Sequence, residues 1–225
     1  MNSFIRLFST ALALAFLPLA AHAADDPVLI DKILFKQIPS NGITRVSQGS
    51  FWNRVEIVLL AKENPDDKAN NTKWVRNVEV DLALVYKDEK AADKASAENL
   101  VVMKAKARLF ALEVGKKTSV VYYIPGEAYS IYRIQKDPFA WSIELSVNGV
   151  KTPLSKSNLK TMLSKTILKS SEPKKAYESY KKLVESAAPT NEGVLMPLPQ
   201  CPFNVQYFEY MTGGNVPIPT YIYGQ

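Results

Sequence analysis

The chain has 225 residues, with 28 Lys and Arg against 22 Asp and Glu, one Cys (Cys201) and one His (His22). With so few thiols and imidazoles it cannot build a Ser-His-Asp or Cys-His nucleophile beyond residue 22, a Cys/His zinc site or an internal disulfide. No Gly-rich phosphate loop is present either, so the commonest catalytic and cofactor classes are excluded, and no catalytic, cofactor-binding or metal-binding residue is assigned.

Residues 1–23 read as a secretory signal peptide. Arg6 precedes an apolar run of 13 residues, 7–19, and Ala21-His22-Ala23 forms a small-x-small cleavage site. The run is short of the roughly 20 residues a membrane-spanning helix needs. No Cys follows it to carry a lipid anchor, and no later stretch is apolar enough to span. The exported chain is therefore expected to begin at Ala24 and to reside in the periplasm, on the outer-membrane surface or outside the cell.

Residues 24–153 read as strand after strand. Residues 28–33 open the series. In residues 51–61, Val55, Ile57 and Leu59 share one face, with Arg54 and Glu56 opposite. In 74–86, Val78, Val80, Leu82, Leu84 and Tyr86 share a face, with Asn77, Glu79 and Asp81 on the other. Such alternation means one face in a core and one in water. Residues 101–112 turn Lys104, Lys106 and Arg108 outward and Met103, Ala105, Ala107 and Leu109 inward. Gly115 turns the chain into 118–124. Residues 128–134 are a further strand or a covering segment. Residues 139–147 place Phe139, Trp141, Ile143, Leu145 and Val147 inward, and Asn148-Gly149 supplies a two-residue hairpin turn. The connections 64–72 and 88–99 are polar surface loops. About seven strands without crossover helices predict an antiparallel immunoglobulin-like β-sandwich, with a closed barrel as the alternative.

Residues 154–188 change to helical spacing. Leu159, Met162, Leu163 and Ile167 mark one helix. Ser171-Glu172-Pro173 starts a second, capped by Ser171 or Glu172, with a stripe of Ala176, Tyr180, Leu183, Val184 and Ala187. Both are expected to dock on the sandwich, being too short to stand alone. Residues 151–188 hold nine Lys and three Glu, and this local +6 accounts for the excess positive charge. It is a solvated helix face or a contact for an anionic surface; without Arg or interleaved glycines it does not read as a nucleic-acid site. Residues 189–225 form a tail with six prolines and many aromatics, packing on the body or on a partner. Gly213-Gly214-Asn215 would turn a hairpin there between residues 205–211 and 218–223.

Several residues invite a chemical reading. Glu79 and Asp81 project from one strand face and could serve as a carboxylate pair, although a wet face has the same spacing. Asp66 and Asp67 lie in a polar loop but lack the patterned ligands of a calcium site. Trp52, Trp74 and Trp141 could form a sugar-stacking platform, with Trp141 already placed on an apolar face. Tyr122, Tyr123, Tyr129 and Tyr132 cluster around the Pro125-Gly126 turn.

Three strings, AHAADDPVLIDKILFK, WVRNVEVDLALVYKD and PFAWSIELSVNGVKTPL, together with the Lys-rich helix, resemble a family of exported immunoglobulin-like proteins of verrucomicrobial gut bacteria encoded beside type IV pilus-like genes. The resemblance covers most of the chain after residue 23. It implies an immunoglobulin-like fold, a non-enzymatic pilus-associated or cell-surface role, and partners among the proteins of a pilus-like or envelope assembly. The residues themselves leave open a carbohydrate-binding or adhesive module.

Overall fold

A computed structural model describes residues 26–39, 51–87, 100–133, 137–155, 158–201 and 219–222. The elements are β1 (Val28–Pro39), β2 (Phe51–Ala61), β3 (Trp74–Lys87), β4 (Leu100–Glu113), β5 (Lys117–Ile124), α1 (Gly126–Tyr132), β6 (Ala140–Val147), β7 (Val150–Lys151), α2 (Leu159–Met162), α3 (Lys165–Leu168), α4 (Pro173–Ala187) and β8 (Met196–Pro197). Two antiparallel sheets face each other, ordered β1-β2-β5-β8 and β4-β3-β6-β7. The first, second and fifth strands share one sheet, and the third, sixth and seventh share the other. That is the strand order of an immunoglobulin-type sandwich, with β4 added beside β3. The barrel alternative is thereby set aside.

The alternating strands meet in one core. Val55, Ile57 and Leu59 of β2 face Val78, Val80, Leu82 and Leu84 of β3, with Ile143 and Leu145 of β6 and Val120 and Tyr122 of β5. Removing these side chains from water is the main driving force for closing the sandwich. The β6–β7 hairpin turns through Asn148 at φ 51 and Gly149 at φ 79, the two positive angles that a tight two-residue turn demands.

The outer face of the second sheet carries a smaller core. Ala83, Val85 and Ala140 of the sheet pack beneath Leu163, Ile167, Tyr177, Tyr180 and Val184. The face expected to stand in water at β3 is therefore covered there by the helices. The Tyr180 hydroxyl donates to the Ala83 carbonyl at 2.8 Å. Helix α4 begins with Pro173 at its first turn and has Glu172, one of the two expected residues, at the N-cap position; its side chain makes no cap bond, and its N–H donates to the Ser170 hydroxyl at 3.3 Å.

Other expectations change. The helix read through Leu159 and Ile167 is two short turns, α2 and α3, because Leu163 is extended and bridges Ser142 of β6. Residues 126–132 are helix α1, which covers the sheet through buried Ala128. Phe139 packs in the smaller outer core and not inward, with the Lys87 ammonium 4.0 Å from its ring centroid. The leader expected at residues 1–23, the 88–99 loop and the hairpin read around Gly213 lie outside the described residues. Among the described residues no helix is long and apolar enough to cross a membrane.

Among the described residues of the tail, 195–201 and 219–222 close a seam between the two sheets. Met196 and Pro197 of β8 pair with Tyr123 and Tyr122 on the free side of β5, with Leu195, Leu198 and Cys201 buried beside them. An edge position suits Pro197, which has no N–H to donate. Residues 219–222 run along the free side of β4. The Phe110 N–H donates to the Thr220 carbonyl at 2.8 Å, and the Ile222 N–H donates to the Arg108 carbonyl at 2.7 Å. The Tyr221 ring enters the seam at 9% exposure, and its hydroxyl accepts from the Val121 N–H of β5 at 3.1 Å.

One glycine is fixed by contact. A Cβ on Gly126 would press on the Phe51 backbone carbonyl, which cannot swing away as a side chain could. Gly126→Ala is expected to cost about 1–3 kcal/mol as overpacking. Denaturant unfolding measures it; an unchanged midpoint would mean that the β2–α1 junction yields freely.

Candidate functional site

The carboxylates singled out in the sequence are engaged where the structure places them. Glu79 lies 3.2 Å from both Lys106 Nζ and Arg108 Nε, and Asp81 lies 3.3 Å from Lys104 Nζ. These are cross-strand pairs between β3 and β4 on the outer face. Asp81 stands opposite Glu144 of β6, whose carboxylate takes Lys151 Nζ at 2.8 Å and the Tyr177 hydroxyl at 3.1 Å. Burial raises the Asp81 carboxyl above its usual range despite Lys104. Burial would raise Glu144 too, but the hydrogen bonds and charge of Lys151, with the Tyr177 bond, outweigh it and hold that carboxyl below its usual range. Glu79 and Asp81 stand two positions apart on the same face of β3, so the two acids do not face each other across a cleft; a hollow of ≈ 260 Å³ is lined by Glu79.

Of the loop acids, Asp66 forms turns and Asp67 is exposed. The Asp66 carboxylate accepts from the Lys68 N–H at 3.0 Å, and the Asp66 N–H donates to Asn64 Oδ1 at 3.0 Å. Among the described residues no three His, Cys, Asp or Glu side chains cluster as metal ligands would.

The three tryptophans do not form one platform. Trp52 is in the main core, and Trp141 packs on Phe35 with ring centroids 6.4 Å apart. Trp74 stands 41% exposed. The tyrosines pack as well: Tyr122 and Tyr123 are buried, the Tyr122 hydroxyl donates to the Val80 carbonyl at 2.7 Å, and Tyr129 meets Tyr86 edge-on at 6.1 Å.

Trp74 has a different aromatic neighbour. It opens a groove of ≈ 830 Å³ at one end of the second sheet, shared with Phe110, which is 50% exposed. The local backbone explains why both rings face outward. Asn77 sits at φ 50 and breaks the alternation of β3, so that Val75 and Val78 both point inward. Across the ladder, Leu109 and Leu112 of β4 point inward in step, leaving Phe110 outside. The Arg76 guanidinium lies 5.5 Å from the Phe110 ring centroid, a cation–π contact that holds the ring. On one flank the Phe110 N–H ties down Thr220, and on the other Asn64 Nδ2 donates to the Trp74 carbonyl at 2.9 Å, anchoring the polar loop. Asp66 and Glu113 line the groove with Lys68, Arg76 and Lys116, so its charges are mixed. Sequence reasoning missed Phe110. The signal was there: it continues the outward series of Lys104, Lys106 and Arg108, where an aromatic ring is out of place.

Strand order and sealed seam together define an antiparallel sandwich of immunoglobulin type with a surface groove at one end. No protein family and no curated protein matches the chain. Among solved structures, a crystal structure from Akkermansia muciniphila is similar in fold, with TM-score 0.57 and 13% identity, covering 88% of this chain and 93% of that one. The organism is a verrucomicrobium, which agrees with the bacterial group of the sequence resemblance.

Proposed function

We propose that the protein is a non-enzymatic exported component of a pilus-like cell-surface assembly, and that it joins its partners by strand addition at β1. The observation that carries this is the contrast between the sheet edges. The β4 edge is occupied by the chain's own residues 220 and 222, and Asn191 Nδ2 donates to the Val102 carbonyl at 2.8 Å. β1 runs for 12 residues and, among the described residues, pairs only with β2. An edge strand presents unpaired N–H and C=O groups that a partner strand can take up. A register shift between Ile30 and Lys32, with exposed Lys32 and Lys36, guards that edge against indiscriminate pairing. The leader, the sandwich and the resemblance to the pilus-linked family support export and assembly.

A photo-crosslinking residue placed at exposed Lys36 is expected to capture another envelope subunit in cells of the source bacterium. The same residue at Lys174 on α4 is expected to capture none. Crosslinks from position 174 alone, or none from position 36, would sink the β1 reading.

A further inference from the structure

We propose that the Trp74–Phe110 groove binds a neutral oligosaccharide, with the two rings stacking on the apolar faces of sugar residues.

The lining chemistry selects this ligand. A hexopyranose has flat C–H faces and a rim of hydroxyls, so its site needs exposed aromatic rings beside groups that accept and donate directional hydrogen bonds. The groove supplies both. Trp74 and Phe110 offer ring surface to water, while the comparably large Tyr86, Tyr122 and Tyr123 are fully packed. Leaving two large rings in water forgoes the burial that those three tyrosines achieve, and two exposed rings sharing one concavity mark a binding surface. Around them stand the Asp66 and Glu113 carboxylates, the Asn70 and Asn71 amides and Thr220. The loop's own turns use Asn71 Oδ1, which accepts from the Lys73 N–H at 3.0 Å, and Asp66 Oδ1. The Asn71 amide nitrogen and the second Asp66 oxygen take no part in those turns.

Charge decides between neutral and ionic ligands. Three cations and two carboxylates line the groove, with Lys116 Nζ paired to Glu113 at 2.8 Å, so it presents no strong single-sign field to gather a polyanion or a cation. Size argues for a small ligand: ≈ 830 Å³ falls within the roughly 300–1,000 Å³ of small-molecule sites, and a protein partner needs a broader face of about 800 Å². The groove lies on the second sheet at the β3–β4 end, whereas β1 is the edge of the first sheet, so saccharide binding and strand addition can fail independently.

The test uses the full exported chain and three immobilised neutral tetrasaccharides built from N-acetylglucosamine, galactose–N-acetylglucosamine repeats, or glucose, with sialylated and sulfated counterparts as controls. Binding to at least one neutral probe is expected at micromolar to millimolar affinity and with weak salt dependence. Trp74→Ala and Phe110→Ala should each lower affinity roughly tenfold, the loss of about 1.4 kcal/mol of stacking. Both residues are exposed, so melting should barely change; Trp74→Tyr, which keeps a ring, should retain most of the affinity and guards against a folding artefact. Absence of binding to every neutral probe at millimolar concentration would overturn the proposal. So would unchanged affinity in both alanine variants, or binding confined to the acidic probes and abolished by salt.

Discussion

A chain ended after Ala188 is expected to lose cooperative folding or to melt far below the complete protein. The deleted part is not an accessory. Leu195 and Leu198 are buried in the main core, and each is worth about 1.5–3 kcal/mol in burial. Asn191 satisfies the buried Val102 carbonyl, and an orphaned buried acceptor costs about 1–3 kcal/mol. The truncation also strips β8 from β5 and Tyr221 from the seam, exposing two strand edges. The combined loss is comparable with the 5–15 kcal/mol that holds a typical domain together. Circular dichroism melting and size-exclusion chromatography read the result. A second chain ended after Cys201 keeps Leu195, Leu198 and β8 and should lose much less. If the shorter chain melts like the complete one, residues 189–201 are not part of the core in solution.

Alkaline solution is expected to unfold the protein steeply. Burial pushes the Tyr129 phenol up to about 12 and raises Tyr86, Tyr122, Tyr177 and Tyr180 well above their usual value near 10. A raised folded value means that the native state keeps protons which the unfolded chain releases. The stabilisation is then complete below pH about 10 and is lost as pH climbs past 10 toward the folded values. Each fully buried tyrosine costs about 1.4 kcal/mol of stability per pH unit in that window. Tyr86 and Tyr122, essentially without exposure, carry the effect; the less deeply buried Tyr129 and Tyr177 contribute less because solvent screens them. Tyrosinate absorbance followed together with far-ultraviolet dichroism should show ionisation and unfolding in one step. Gradual ionisation near pH 10 of a chain that stays folded would contradict this burial.

The sandwich was legible because its strands obey a period of two wherever one side meets the core. Val78 to Tyr86 and Met103 to Leu109 needed only that rule, and the Asn148-Gly149 turn needed only the tolerance of those residues for positive φ. Legibility ended where two faces were buried at once. Ala83 and Val85 looked like the wet side of β3, since nothing local reveals a helix packed over them from 90 residues further on. Leu163 fitted a helical stripe, yet the pull of Ser142 drew it into an extended bridge. The groove was half visible. Trp74 could be singled out as an exposed aromatic, but its pairing with Phe110 depends on the kink at Asn77 and the matching change of phase in β4, and its flank at Thr220 comes from the far end of the chain.

That late arrival has a kinetic consequence. Tyr221 closes the seam by meeting Val121, 100 positions earlier, and Arg108 and Phe110 wait still longer for their backbone partners. Contacts so distant in sequence form slowly, since the intervening chain must lose much freedom before any reward is gained. A nascent chain would therefore hold both sheets with the Arg108–Phe110 stretch of β4 uncovered until residues 219–222 were free to fold back. During that interval the bare stretch of β4 is a template for misassembly or a handle for a chaperone, and the docking of residues 220–222 withdraws it.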